Sequence, residues 1–213
     1  MESSIQSNLY EEMLGHWLEL FPAIPSDILQ SEFSSLFEKY SETHRHYHTL
    51  KHIRACLKAL DTHKNQINDS YSLALALWFH DVIYNPKKNN NEELSAVYAC
   101  TVLIKLGVSK DVVKKVNDLI LLTIHPSRPS SNDEKMLIDI DLGILGAEQT
   151  LYQFYSEWIR LEYAHVPFFL YKRGRKKLLR AFLDLDYLYH SDYYREHFEN
   201  QARSNIQNEL AKL

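Results

Sequence analysis

A histidine and an aspartate, His80-Asp81, close the apolar run Leu73-Ala74-Leu75-Ala76-Leu77-Trp78-Phe79. A helix that is apolar on every side belongs inside a protein. An ionised carboxylate at the end of such a helix is costly unless something pairs with it. A metal ion takes neutral imidazole and carboxylate together. The pair therefore predicts a metal site whose further donors should lie elsewhere in the chain.

Histidine is the residue in excess, with 11 copies, and six of them fall between His44 and His80. In Arg45-His46-Tyr47-His48-Thr49-Leu50-Lys51-His52-Ile53, His48 and His52 are four apart and would share one helix face. Leu50, Ile53, Leu57 and Leu60 form a separate apolar stripe. The small Ala55 and Ala59 flank the histidine face and would leave room for a cavity. Zinc peptidases also use His-x-x-x-His, but they need Glu directly after the first His. Thr49 stands there, and that reading fails.

A third element is Lys135-Met136-Leu137-Ile138-Asp139-Ile140-Asp141-Leu142-Gly143-Ile144-Leu145. Counted from Met136 at about 100° per residue, Leu137, Ile138, Ile144 and Leu145 fall at roughly 80–200° and Asp141 at roughly 140°. Asp139 falls at roughly 300°, outside that arc. Asp141 is accordingly expected to be the buried carboxylate and the ligand, while Asp139 caps, pairs or faces water. His125 precedes Pro126 at the end of an apolar helix and has three readings: a further ligand, a phosphate contact, or a C-terminal helix cap. Glu92, in Asn91-Glu92-Glu93, either complements a helix N-terminus or reaches the site to orient a water on the substrate side.

These residues need elements to hold them, and the pattern is helical almost throughout. Helices are expected at about 3–20, 26–41, 48–63, 70–84, 91–106, 109–124, 132–145, 148–163, 166–190 and 192–211. No alternating strand or hairpin signal is present. Lys87-Lys88-Asn89-Asn90-Asn91 reads as an exposed turn beside the His-Asp pair. Tyr152, Tyr155, Trp158 and Tyr163 read as core rather than as a base-stacking platform. The 213 residues, 45% hydrophobic and 24% charged, suffice for one domain with a substantial core.

Function classes are narrowed by what is missing. Five glycines supply no phosphate-binding loop, and no G-x-S-x-G marks a nucleophile elbow. A net charge of −4 argues against nucleic acid or an anionic membrane as partner. The basic run Lys172-Arg173-Gly174-Arg175-Lys176-Lys177 reads as a solvated helix face. No apolar run has the length of a membrane span, and Met1 to Glu12 lacks a signal-peptide core. Cys56 and Cys100 read as buried free thiols, which suits a cytoplasmic location. Oligomeric state is open.

With His52, His80-Asp81 and Asp141 in that order, the chain resembles the HD superfamily of metal-dependent phosphohydrolases. It resembles in particular a small uncharacterised bacterial group of HD-domain proteins. The segments concerned are Tyr47-His48-Thr49-Leu50-Lys51-His52-Ile53, Trp78-Phe79-His80-Asp81, Asn91-Glu92-Glu93-Leu94-Ser95-Ala96, Asp139-Ile140-Asp141-Leu142 and Ile159-Arg160-Leu161-Glu162-Tyr163. The resemblance implies an all-α, HD-domain-like bundle of about eight to ten helices. It spans residues 1–213 as one domain, with the metal-site core at about 40–165 and flanking helices at both ends. Tyr47-His48-x-x-x-His52 is similar to the opening motif of cyclic-nucleotide phosphodiesterases, which implies His48 as proton donor and His52 as ligand.

Neither the His-His and Gly-Tyr-Pro signatures of cyclic-di-GMP phosphodiesterases nor the Glu-Asp pair of alarmone hydrolases is present. Tyr84-Asn85 stands where that pair would be. Neither substrate carries over.

The expected activity is hydrolysis of a phosphate ester of a nucleotide or other small phosphorylated metabolite. His52, His80, Asp81 and Asp141 would hold one divalent ion: manganese, iron, cobalt, nickel, magnesium or zinc. Asp81 would also act on the attacking water and His48 on the leaving oxygen. A second ion would call on His125. The rival readings are a non-catalytic metal- or nucleotide-binding sensor and an iron-dependent oxygenase.

Overall fold

The computed structural model describes the backbone of residues 2–124 and 128–213, and side chains from Ser7 onward. The protein is all-α, with no strand among the described residues. Among the described residues there are eleven α-helices: α1 (Glu2–Glu19), α2 (Ser26–Tyr40), α3 (Leu50–His63), α4 (Ser70–Phe79), α5 (Asn91–Lys105), α6 (Lys110–Leu122), α7 (Asn132–Asp141), α8 (Gln149–Glu162), α9 (Phe168–Leu183), α10 (Asp192–His197) and α11 (Glu199–Lys212). Short 3-10 turns follow α3 (Lys64–Gln66) and α7 (Leu142–Gly146). No described helix is long and apolar enough to cross a membrane.

Helix α4 is the axis of the fold. From Leu73 to Phe79 no residue is more than 7% exposed, as its all-round apolar composition requires. Helices α3, α5, α6 and α7 pack around it. Trp78 extends the core toward α1 and α2, meeting Trp17 and Phe33 edge to face at 5.6 and 6.1 Å. Asp69 caps α4 through the Ser72 N–H, and Ser131 with Glu134 forms a capping box on α7. Gly107 (φ +72°), just past the end of helix α5, terminates it, and the Gly107 and Val108 N–H groups return to the Ile104 and Leu103 carbonyls. Gly146 lets α11 approach closely: a Cβ there would lie 2.8 Å from that of Phe198.

Several boundaries differ from the periodicity. The expected helix 48–63 starts at Leu50, because the N–H groups of His46, Tyr47 and His48 turn onto the Glu162 carboxylate. The expected helix 70–84 stops at Phe79, because Arg45 takes the Asp81 and Val82 carbonyls at 2.7 and 2.9 Å. The expected 132–145 tightens into a 3-10 turn after Asp141, 166–190 ends at Leu183, and 192–211 divides at Phe198. Lys87–Asn90 is the exposed turn that was expected, and Cys100, unlike Cys56, is only partly buried.

A second fixed point lies where α8, α9 and α11 meet. Arg175 binds Glu209 through two nitrogens at 2.8 and 3.0 Å, and Tyr152 donates to the same carboxylate at 2.6 Å. Glu209→Ala would strand the buried guanidinium and is expected to cost about 3–5 kcal/mol, read as a lower urea midpoint. Lys114→Ala, which breaks the exposed Lys114–Asp118 pair, should leave that midpoint nearly unchanged.

Candidate metal centre

Three elements bring the donors together. His52 lies in the first turn of α3, His80 caps the C-terminus of α4 with Asp81 next to it, and Asp141 ends α7. His52 Nε2 lies 3.2 Å from His80 Nε2, 3.2 Å from Asp141 Oδ1 and 3.6 Å from Asp81 Oδ2. His80 Nε2 lies 3.1 Å from Asp81 Oδ2 and 3.3 Å from Asp141 Oδ1. Donors bonded at about 2.1 Å to one ion stand about 3.0 Å apart at a right angle and about 3.4 Å apart at a tetrahedral angle. Four of the five spacings, 3.1–3.3 Å, fall between those values and the fifth is wider at 3.6 Å; His52, His80 and Asp81 form one compact group of donors, and Asp141 forms a second with His52 and Cys56. The imidazoles are almost fully buried, whereas the Asp81 and Asp141 side chains keep 18% and 17% exposure, and Asp141 lines the adjoining cavity.

The electrostatics agree with the geometry. The carbonyl of Leu77, 2.9 Å from His80 Nδ1, can only accept, so that nitrogen carries a proton and the neutral ring presents Nε2 to the cluster. Burial opposes charge on His80, yet Asp81 and Asp141 outweigh it and raise its pKa well above the ordinary value. Burial likewise opposes ionisation of both carboxyls, but His80 and its neighbours hold them well below the usual range. The centre thus favours positive charge, which a cation would supply in place of protons. Cys56 Sγ stands 3.7 Å from His52 Nε2 and is the remaining soft donor nearby. Burial, then the charges of Asp141 and Asp81, push its thiol well up, which disfavours the thiolate a metal requires.

His48 does not share a helix face with His52, since it precedes α3, but the turn still sets the two rings 6.1 Å apart. His48 Nδ1 meets Glu162 Oε2 at 2.7 Å, and Tyr84 stacks on the ring while its hydroxyl donates to the same carboxylate. Glu162 Oε1 accepts the N–H groups of His46, Tyr47 and His48 at 2.8–3.0 Å. Burial opposes charge on His48, but the carboxylates of Asp81 and Glu162 prevail and raise its pKa. Burial would also raise Glu162, but His48 and the backbone N–H groups hold it at about 2. Glu162 and Arg45 carry no local sequence signal of a role at the site. Only the fold, across 114 and 36 residues, brings them to His48 and Asp81.

The burial expected from the angular positions of Asp139 and Asp141 is inverted. Asp141 joins the cluster, but Asp139 is the fully buried one, accepting the N–H groups of His190 and Ser191 at 2.8 and 2.7 Å. It caps the start of α10, a partner that lies about 50 residues downstream and is invisible to local periodicity. Among the described residues no hydrogen bond or ion pair joins Glu92 to the cluster; it occupies the first turn of α5. His125 lies outside the described residues, and with it the ligand that a two-ion or di-iron arrangement would call on.

A cavity of about 480 Å³ opens from His52, Cys56 and Asp141, with Ala55 and Ala59 in its wall where the sequence predicted free space. Comparison of the chain with protein-family models, curated proteins and solved structures finds no match.

The His48–Glu162 pair has a defined pH window. A raised histidine contributes fully below its ordinary 6.5 and loses that contribution as pH rises through the raised value. A depressed carboxyl contributes fully above its ordinary 4.5 and loses that contribution as pH falls to about 2. Glu162→Gln is expected to cost about 3 kcal/mol or more. The loss should be greatest between pH 4.5 and 6.5 and smaller on either side, as measured by urea unfolding across the pH range.

Proposed function

We propose that the protein is a metal-dependent phosphohydrolase acting on a small organic phosphate ester. One observation carries the reading: the buried imidazoles of His52 and His80 each lie within 3.6 Å of carboxylate oxygens of both Asp81 and Asp141, next to a cavity that His52 and Asp141 line and near a histidine whose pKa its carboxylate neighbours raise. The reading agrees with the resemblance to HD phosphohydrolases.

His52, His80, Asp81 and Asp141 would hold the ion. When bound, it would supply Lewis-acid chemistry, offsetting phosphoryl charge and making a nearby water more acidic. Asp81, ionised at neutral pH, orients the attacking water and accepts its proton. His48 keeps its Nδ1 proton on Glu162 and gives its Nε2 proton to the departing alkoxide, so the alcohol leaves neutral. Glu162 acts through His48 and is a positioning residue. Tyr84, stacked on the imidazole, shields it from water.

Elemental analysis of protein purified without chelator should find about one divalent ion per chain, absent from Asp81→Ala. A protein that stays metal-free after reconstitution would sink the reading. Turnover in a phosphate-ester screen should vanish with a chelator and return with metal. His48→Gln should retain metal and lose about 10²–10⁴ in kcat. The parent rate should fall as pH rises through the raised His48 value, and Glu162→Gln should move that fall to lower pH.

A further inference from the structure

The cavity beside the metal cluster is uneven in chemistry. Its about 480 Å³ lies within the ~300–1,000 Å³ of small-molecule sites. Its polar side chains, apart from the tyrosines and the Cys56 thiol, are His52 and Asp141 of the cluster and His46, Thr49 and Lys51, which lie close to His48 and His52 in the chain. The wall away from those residues is built by Ala55, Ala59, Ile144, Leu151, Trp158 and Phe198. Among the described lining residues no asparagine, glutamine, arginine or glutamate is present, and the single carboxylate, Asp141, belongs to the cluster.

A nucleobase is read by hydrogen bonds to its edge, and sugar hydroxyls covered by this wall would lose water without gaining partners. An apolar body has no such need. Leu151 is 45% exposed and Trp158 is only half-buried, so apolar surface stands open to water here. Covering it favours binding in proportion to its area.

We propose, resting on the phosphohydrolase reading, that the substrate is the phosphate monoester of an apolar alcohol, aliphatic or aryl-alkyl. Its phosphoryl group sits at the cluster and its hydrocarbon body lies against Trp158, Phe198 and Leu151. Water attacks phosphorus, the P–O bond to the alcohol breaks, and the alcohol leaves with the His48 proton.

The test uses the metal-loaded full chain with two non-hydrolysable probes, 3-phenylpropylphosphonate and ethylphosphonate, titrated calorimetrically. The phenylpropyl probe should bind at least tenfold tighter. Ala55→Trp, which fills the cavity from an exposed position, should bring the ratio toward one, and so should Leu151→Ser at the rim. Helical circular dichroism confirms that each variant is folded. For turnover, 3-phenylpropyl phosphate should exceed adenosine 5′-monophosphate at least tenfold in kcat/KM; both release a primary alcohol, so the chemical step is matched. Equal affinity for the two phosphonates, or preference for the nucleotide, overturns the apolar substrate while leaving a phosphohydrolase. Selective phenylpropylphosphonate binding, abolished by Ala55→Trp, with no ester turned over, sustains the apolar ligand site and removes the hydrolase reading instead.

Discussion

Three consecutive backbone N–H groups, those of His46, Tyr47 and His48, converge on one oxygen of Glu162. The other oxygen takes the His48 ring and the Tyr84 hydroxyl. A buried carboxylate with five donors is satisfied, and losing it would orphan all five at once. The same contact decides where α3 begins, because N–H groups committed to Glu162 define a turn rather than a helix. It also decides how His48 faces the cluster and ties the end of α8 to the start of α3.

Asp133, Asp139 and Glu199 repeat the device. Asp133 accepts from Asn68 and Asp69, Asp139 from His190 and Ser191, and Glu199 from Leu188 and Tyr189. In each case a carboxylate holds the chain just before a helix or at the end of a loop, where backbone donors have no intrahelical partner. Arg45 does the complementary work, donating to the carbonyls of His48, Asp81 and Val82. An all-helical protein leaves orphan groups at every helix end, and here charged side chains from distant segments cover those nearest the cluster.

The centre itself is a balance between burial and charge. Helix α4 delivers His80 and Asp81 from an apolar core into a space already holding His52 and Asp141. Two ionised carboxylates in that setting need positive charge close by. Imidazolium protons provide it, and a divalent cation bound there would provide it in their place.

Much of this was readable in the chain. The all-round apolar run located α4, and the caps Ser109 and Ser131 marked α6 and α7. The order His52, His80-Asp81, Asp141 named the donors that meet, and Ala55 and Ala59 marked the cavity. Each of these signals is local, carried by residue type and helical period within a few turns. Tertiary structure decided the rest: that His48 precedes its helix, that α4 stops at Phe79, that Asp139 is buried more deeply than Asp141, and that Glu162 holds His48. Those outcomes depend on small groups of hydrogen bonds between segments 36 to 116 residues apart. Periodicity along one helix carries no information about which distant donor or acceptor will meet its end.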